Sequence, residues 1–273
     1  MRAAQPLRRF IPPTCKHWYR WLTRPAYRYK DRELKRLRSL PRYHPTATRL
    51  LGEPLEVPDA ASFLFMYREI FEQQIYRFEA GSQTPFIIDG GANIGLSIIY
   101  FKQLYPQSRV VAFEPDSSVF RALEGNIRRR GYGDVQLHRG ALWSSEKALS
   151  FMAEGADGGR IAQAGDPENV VVQTVRLRDY LNRPVDLLKL DIEGAETEVI
   201  TDCADLLRNV QNLFVEYHSF EEKPQTLREV IDCLADAGFR LHIHSINASP
   251  QPLLRRYVSL GMDMQLNIFA FRL

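Results

Sequence analysis

The sequence predicts an α/β domain, built on a mostly parallel sheet with helices on both faces. Three observations carry this. Short apolar runs such as FIID (86–89), RVVAFE (109–114) and VDLLKLD (185–191) alternate with longer amphipathic segments, the order that builds βαβ units. These runs are apolar throughout rather than at every second residue, as expected of strands buried on both faces. The first run ends in a glycine-rich turn, Asp89-Gly90-Gly91-Ala92-Asn93-Ile94-Gly95, at the carboxyl edge where such sheets meet ligands.

Taken in order, residues 59–80 predict a helix, because Phe63, Met66, Tyr67, Ile70, Phe71, Ile75 and Phe78 recur near a 3.6-residue period. Gly81 closes it and Pro85 stops anything further. After the strand 86–89, residues 93–104 suit a helix ended by Pro106, and 109–114 a second strand. Residues 116–130 form an amphipathic helix closing at Gly131, followed by the strand VQLH (135–138). Short β-like pieces, ALSFM and NVVVQTV, flank a loop GADGG (155–159). Strand 185–191, helix 195–208, strand NLFVEYH (212–218) and helix 225–237 continue the alternation. FRLHIHS (239–245) and QLNIFAFRL (265–273) have no helix between them, which predicts an antiparallel pair at the sheet's edge. There is no internal repeat.

Charge divides the chain. Residues 1–50 hold 14 Lys/Arg against Asp31 and Glu33, a charge of +12, so residues 51–273 carry −9 of the total of +3. The expected organisation is a basic, aromatic N-terminal extension (1–58) before a domain at 59–273. The extension interleaves its cations with Phe10, Trp18, Tyr19, Trp21, Tyr27, Tyr29 and Tyr43, and 26–40 suits a basic helix. Three readings stay open: a solvated extension, docking to an anionic membrane surface or an acidic protein, and nucleic-acid binding. A hydrophobic content of 45% excludes wholesale disorder. No apolar run reaches the roughly 18 residues of a membrane span, and no apolar stretch of secretory-signal type follows the basic start. Cys15, Cys203 and Cys233 are too scattered for a disulfide framework or a cysteine zinc site. A reducing, cytoplasmic setting is expected, with peripheral membrane contact through residues 1–50 as its variant.

Three segments carry the chemistry. In the glycine turn, adjacent Gly90 and Gly91 do not match the nicotinamide fingerprint, and Asp89 would repel a pyrophosphate. A carboxylate there suits a ligand bearing a sulfonium and an amine, such as S-adenosylmethionine. Glu114-Pro115 ends the second strand 19 residues past Gly95, where an acid accepts hydrogen bonds from ribose hydroxyls. The run Lys189-Leu190-Asp191-Ile192-Glu193-Gly194-Ala195-Glu196 places three acids at the end of the fourth strand and the turn after it. Asp191, ending an apolar strand, is a site candidate. Glu196 suits the positive N-terminus of the next helix.

Together DGGANIG, FEP and KLDIEGAE, in this order and spacing, resemble the FkbM family of S-adenosylmethionine-dependent methyltransferases, over about residues 60–271. The segment FLFMYREIFEQQIYRF before the first strand is also similar to one that family carries. The resemblance implies a class I methyltransferase, or Rossmann-like, fold: a seven-stranded sheet whose last strand, QLNIFAFRL, is antiparallel. It implies O-methylation of a hydroxyl on a sugar, glycan, glycolipid or secondary metabolite. By position, Asp89, Gly91, Asn93 and Gly95 would line the methionine side of the cofactor. Glu114 would hold the ribose, Gly140, Ala141 and Leu142 would lie near the adenine, and Gly90, Ala92, Pro115 and Asp191 would complete the cofactor site.

An alcohol is a poor nucleophile while protonated and needs a base or a metal. Glu216-Tyr217-His218 ends the fifth strand, and alternation sets Glu216 and His218 on one side. His218 would act as base, or Asp191, Glu216 and His218 would hold a divalent cation; a structural role for the trio also stays open. His242 and His244 suit packing at an edge. The loop 155–165 and the stretch 246–264, with Arg255, Arg256 and Tyr257, would shape the acceptor pocket.

Three rivals remain. A nucleic-acid methyltransferase would use the basic arm, but the acidic body disfavours phosphate contact and no Asn/Asp-Pro-Pro segment follows the fourth strand. A nicotinamide oxidoreductase lacks its glycine fingerprint. A non-catalytic interaction protein with a relic cofactor fold would tolerate loss of Asp89 and Glu114.

Overall fold

A computed structural model describes residues 23–153, 155–156, 158–162, 169–246, 249, 251–255 and 258–273. Phe10, Cys15, His17, Trp18, Tyr19, Trp21, Arg256, Tyr257 and parts of the loop 155–165 lie outside the described residues. The chain runs through α1 (Pro25–Arg38), β1 (Thr46–Thr48), β2 (Leu55–Val57), α2 (Ala60–Tyr67), β3 (Phe86–Gly90), α3 (Leu96–Leu104), β4 (Arg109–Phe113), α4 (Ser117–Arg129) and β5 (Val135–His138). Short strands β6 (Ala141–Trp143), β7 (Ala148–Met152), β8 (Arg160–Ile161) and β9 (Asn169–Arg176) follow. β10 (Val185–Leu190), α5 (Glu196–Asp202), β11 (Val210–Phe220), α6 (Leu227–Asp236), β12 (Arg240–Ser245) and β13 (Met262–Phe271) complete it.

Two neighbouring isoleucines of β3 show why the layers stack as they do. Ile87 and Ile88 are both fully buried, yet in different apolar clusters, because successive side chains of a strand point to opposite faces. On the Ile87 side α2, α3 and α4 cover the sheet with Phe63, Ile98, Ile99 and Leu123. On the Ile88 side α5 and α6 do so with Val199, Ile200, Val230 and Leu234. The seven strands run in the order β12-β13-β11-β10-β3-β4-β5. β11, β10, β3, β4 and β5 are parallel, and β13 is antiparallel to both of its neighbours. The class I architecture and its antiparallel last strand are therefore as expected. The antiparallel pair β12–β13 lies at the edge of the sheet, with β12 outermost and β13 against β11. β6, β9, β7 and β8 make a separate small sheet.

Local chemistry sets the helix boundaries. Asp59 caps α2 by accepting from Ser62 N–H, and Asp116 caps α4 by accepting from Ser118 and Val119 N–H. The helix expected to reach residue 80 stops earlier. After Tyr67 it widens into a π-helical stretch, Arg68–Gln73, and ends at Gln74 with a left-handed backbone (φ 58°). Ile75 and Phe78 still pack on the core without helical geometry, so burial satisfies the apolar period that the sequence shows. Likewise α3 starts at Leu96, not 93, because Asn93 (φ 46°) and Gly95 (φ 90°) are left-handed.

The described part of the basic extension is fastened to the domain. Leu37, Leu55 and Val57 are buried in the same cluster as α2. Glu56 N–H donates to Asn126 Oδ1, and Asn126 Nδ2 donates back to the Glu56 carbonyl. Among the described residues no helix is long and apolar enough to cross a membrane.

Candidate functional site

At the carboxyl ends of β3, β4, β10 and β11 a cavity of about 420 Å³ opens. The turn after β3 is shaped to admit a ligand against bare backbone. Gly91 has φ 78°, and a Cβ there would stand 1.8 Å from the Asp191 carbonyl oxygen, so glycine is obligatory. Asn93 N–H donates to Glu114 Oε2 at 3.0 Å, and Asn93 Nδ2 donates to the Ala156 carbonyl at 2.8 Å. The turn is thereby tied to the end of β4 and to the loop over the cavity. Glu114 also accepts from Asp116 N–H at 2.8 Å. Burial pushes its carboxyl up to about 8, against the pull of those two amides.

Beneath the turn lies an ion pair between adjacent strands. Lys189 sits beside Asp89 in the β10–β3 register. Its Nζ lies 3.3 Å from Asp89 Oδ1 and 3.5 Å from Asp191 Oδ2, and donates to the Gly90 and Gly91 carbonyls at 3.1 and 2.8 Å. Burial disfavours that ammonium, but Asp89 and Asp191 outweigh it and raise its pKa. Asp89 Oδ2 accepts from Ser97 Oγ–H. Asp89 is fully buried and absent from the cavity wall. In this structure it pairs with Lys189 on β10 and Ser97 on α3.

Toward β11 the cavity gathers acids around one histidine. His218 Nδ1–H donates to Glu196 Oε1 at 3.0 Å; its Nε2 faces Glu193 Oε2 at 3.5 Å and Glu216 Oε1 at 3.6 Å. Glu196 is itself anchored by the N–H groups of Ile192 and Gly194. Burial works against the charged ring, yet Glu193 and Glu196 prevail and raise its pKa well above the usual histidine range. Glu216 is held below the usual range, because hydrogen bonds from His218 and Gln265 overcome its burial. The other acids move up. Burial, reinforced by Glu216, lifts Asp191 to about 7 and Glu69 to about 8, and burial raises Glu193. Here the acids outnumber the one histidine cation among them, which adds to the burial that pushes several of them up.

Of the expected residues, Gly91, Ala92, Asn93, Glu114, Pro115, Ala141, Leu142, Asp191 and Glu216 line the cavity. Gly90 and Gly95 do not: they shape the turn from behind, where a Cβ on Gly95 would stand 2.8 Å from Leu123. His218 is fully enclosed and also absent from the wall; Glu193, Glu216 and Gln265 stand between it and the opening. The anticipated cation trio differs too. Glu193, rather than Glu216, joins Asp191 and His218 with ligand atoms within 4.8 Å of one another, while Gln265 donates to Glu216. His242 and His244 contact each other on exposed β12, away from the cavity. The loop after β7 contributes Ala156, Gly158 and Gly159, and the segment before β13 contributes Ser259 and Leu260.

No role was expected of Lys189, Glu69, Tyr76 or Gln265, and Glu193 entered only as one acid of the run 189–196. Lys189 carried a usable signal, since a lone cation inside an apolar strand requires a buried partner. Glu193 carried none: its left-handed backbone (φ 54°) appears only in the structure.

Residues 89–241, more than half of the chain, match the model of the methyltransferase FkbM domain family. Methyltransferase 1 of Beauveria bassiana (strain ARSEF 2860) is 31% identical over 52% of this chain and 67% of its own length. Methyltransferase sdnD of Sordaria araneosa is 30% identical over 64% of this chain and 81% of its own. The 31-O-demethyl-FK506 methyltransferase FkbM of Streptomyces tacrolimicus is 25% identical over 68% of this chain and 88% of its own.

Proposed function

The chain belongs to the FkbM methyltransferase family and is an S-adenosylmethionine-dependent methyltransferase, and on that premise we propose that its acceptor is a hydroxyl group of a sugar, glycolipid or secondary metabolite. The carrying observation is the cluster of Asp191, Glu193 and Glu216 around buried His218, beside the glycine turn and opening into one cavity. An alcohol must lose its proton during methylation, whereas a neutral amine does not need a base beforehand. The Streptomyces relative is named for an O-demethyl acceptor, which supports oxygen as the atom methylated.

The residues present fit the cofactor. Gly91 leaves backbone bare, Glu114 offers carboxylate oxygens where a ribose would lie, and Asp191 answers a positive charge. When bound, the cofactor supplies a methyl group on a positively charged sulfur. The chain's own work is to hold the acceptor oxygen in line with that carbon, to exclude water with α2 and the loop after β7, and to receive a proton. Imidazolium at His218 already supplies positive charge behind the acids, so this reading needs no divalent cation. In the same reading residues 59–273 are the catalytic unit and the basic segment governs location. Sedimentation with anionic and neutral vesicles, comparing the full chain with one starting at residue 23, tests that part; 23–58 are retained because Leu37, Leu55 and Val57 belong to the core.

The deciding test incubates the protein with cofactor and extracts of glycans, glycolipids and small metabolites, and screens by mass spectrometry for a gain of one methylene unit. A product methylated at oxygen is expected. Methylation at nitrogen, or of RNA alone, would replace the acceptor reading, and calorimetric binding of NADH in place of S-adenosylhomocysteine would sink the cofactor.

A further inference from the structure

The cavity wall contains several acids, and their surroundings distinguish them. Asp191 is paired with Lys189, and Glu216 accepts from Gln265. Glu69 reaches the cavity from the π-helical stretch on the opposite wall. Three features together mark Glu193. Its side chain is one-fifth exposed, against 25% for Asp191 and 8% for Glu216, so a bound acceptor can reach it. Its backbone is left-handed (φ 54°), a conformation uncommon for a residue with a side chain that persists only where the surroundings impose it. The following Gly194 is left-handed too (φ 95°), and a Cβ there would stand 2.6 Å from the Phe220 ring, so the turn is packed closely against β11. Third, Glu193 Oε2 faces His218 Nε2 at 3.5 Å, while the other ring nitrogen is held by Glu196. The array Glu193–His218–Glu196 thus runs from the cavity into the core.

Resting on the O-methyltransferase reading, we propose that Glu193 is the catalytic base that takes the proton of the acceptor hydroxyl, and that His218 is a positioning residue acting through it. As the acceptor oxygen forms its bond to the methyl carbon, the carbon–sulfur bond breaks and its electron pair stays on sulfur. The oxygen–hydrogen bond breaks and the proton passes to Glu193, then to solvent through the cavity mouth. His218 fixes the carboxylate's direction and works against the burial that raises its pKa, favouring the ionised form a base requires, and Glu196 keeps the ring from turning. The groups facing Glu193 are His218, Asp191, Glu216 and Glu196, so any pH profile reports this set.

The test has an acceptor-independent arm and a turnover arm. In the first, nitrogen NMR of the full chain follows His218 through a pH titration in wild type and Glu193→Gln. Removing the facing carboxylate should weaken proton binding at His218 by about tenfold or more; an unmoved titration overturns the pairing. In the second, methyl-tritiated cofactor is incubated with one fixed glycolipid and metabolite extract. Glu193→Ala should transfer about 100-fold less label than wild type, with S-adenosylhomocysteine affinity unchanged by calorimetry and activity partly restored by added formate. His218→Asn should lower turnover with KM for cofactor unmoved. Transfer by Glu193→Gln at the wild-type rate overturns the base assignment, as does turnover that disappears with EDTA and returns with a divalent metal. Should wild type itself transfer no label to oxygen, the acceptor reading fails, and the His218 titration still decides whether the pair exists.

Discussion

The cavity's two halves are assembled in different ways. The cofactor half comes from residues ending neighbouring parallel strands: Gly91 after β3, Glu114 after β4, Asp191 after β10. Its geometry is locked by bare backbone, by the Asn93–Glu114 hydrogen bond and by Lys189 beneath. The other half is drawn from segments far apart in sequence, with Phe65 and Glu69 on one side, Gly159 on a loop and Leu260 before β13. Phe65 and Leu260 are 48% and 74% exposed. Strand ends and tight turns hold their residues rigidly, whereas surface segments are the more adaptable part of a site. The contact chemistry differs as well: the first half holds charge through Lys189 and its carboxylates, and the second adds the exposed apolar side chains of Phe65 and Leu260 at its rim.

Breaking the fixed half should do the most damage. Gly91→Ala forces a methyl group into the Asp191 carbonyl at a positive φ, and S-adenosylhomocysteine binding should become undetectable by calorimetry while the fold, by circular dichroism, is kept. Glu114→Gln leaves shape but removes charge. It should weaken cofactor binding by about ten- to a hundredfold, or ~1.5–3 kcal/mol, the value of hydrogen bonds to a charged group.

A pH series sharpens the contrast, because both acids of the fixed half titrate near neutrality. Glu114 at about 8 and Asp191 at about 7 hold protons that a cationic ligand displaces. Cofactor affinity should therefore rise from pH 6 to 9. The unliganded protein should show the opposite trend in thermal unfolding. Carboxyls with raised folded pKa values contribute stability below their unfolded values that is lost as pH rises through 7–8, and raised His218 acts with the same sign. An affinity that is flat over this range would show that these acids do not meet the cofactor.

The variable half should respond more mildly. Phe65→Ala or Leu260→Ala should alter KM for the acceptor by a few-fold and thermal stability hardly at all, since exposed substitutions stay within about 0.5 kcal/mol. The smallest expected effect is none: EDTA should leave turnover unchanged, because His218 carries the charge that a metal would otherwise bring.

Much of the molecule was legible in the chain. The strands were, because Ile87, Ile88, Val110 and Val111 are apolar in succession, as two-sided burial requires. The cofactor half was, because its residues are contiguous turns. Legibility failed where packing overrode local period: the helix expected to residue 80 ends at Gln74, and its π turn brings Glu69 to the cavity. The partner of Asp89 was not legible either: it is Lys189, its register neighbour on β10. No local pattern reveals a partner a hundred residues away.

By itself the sequence determined the order of strands and helices, the glycine that the first turn requires and the acids that end β4 and β10. Apolar periodicity and backbone sterics are properties of neighbouring residues, so the chain alone expresses them. Tertiary structure decided which of those acids face the opening. It set His218 behind Glu193 rather than in front of it, buried Asp89 under Lys189, and closed the acceptor half with residues that only the folded chain brings together. Burial and charge pairing depend on distances through space, and folding alone creates them.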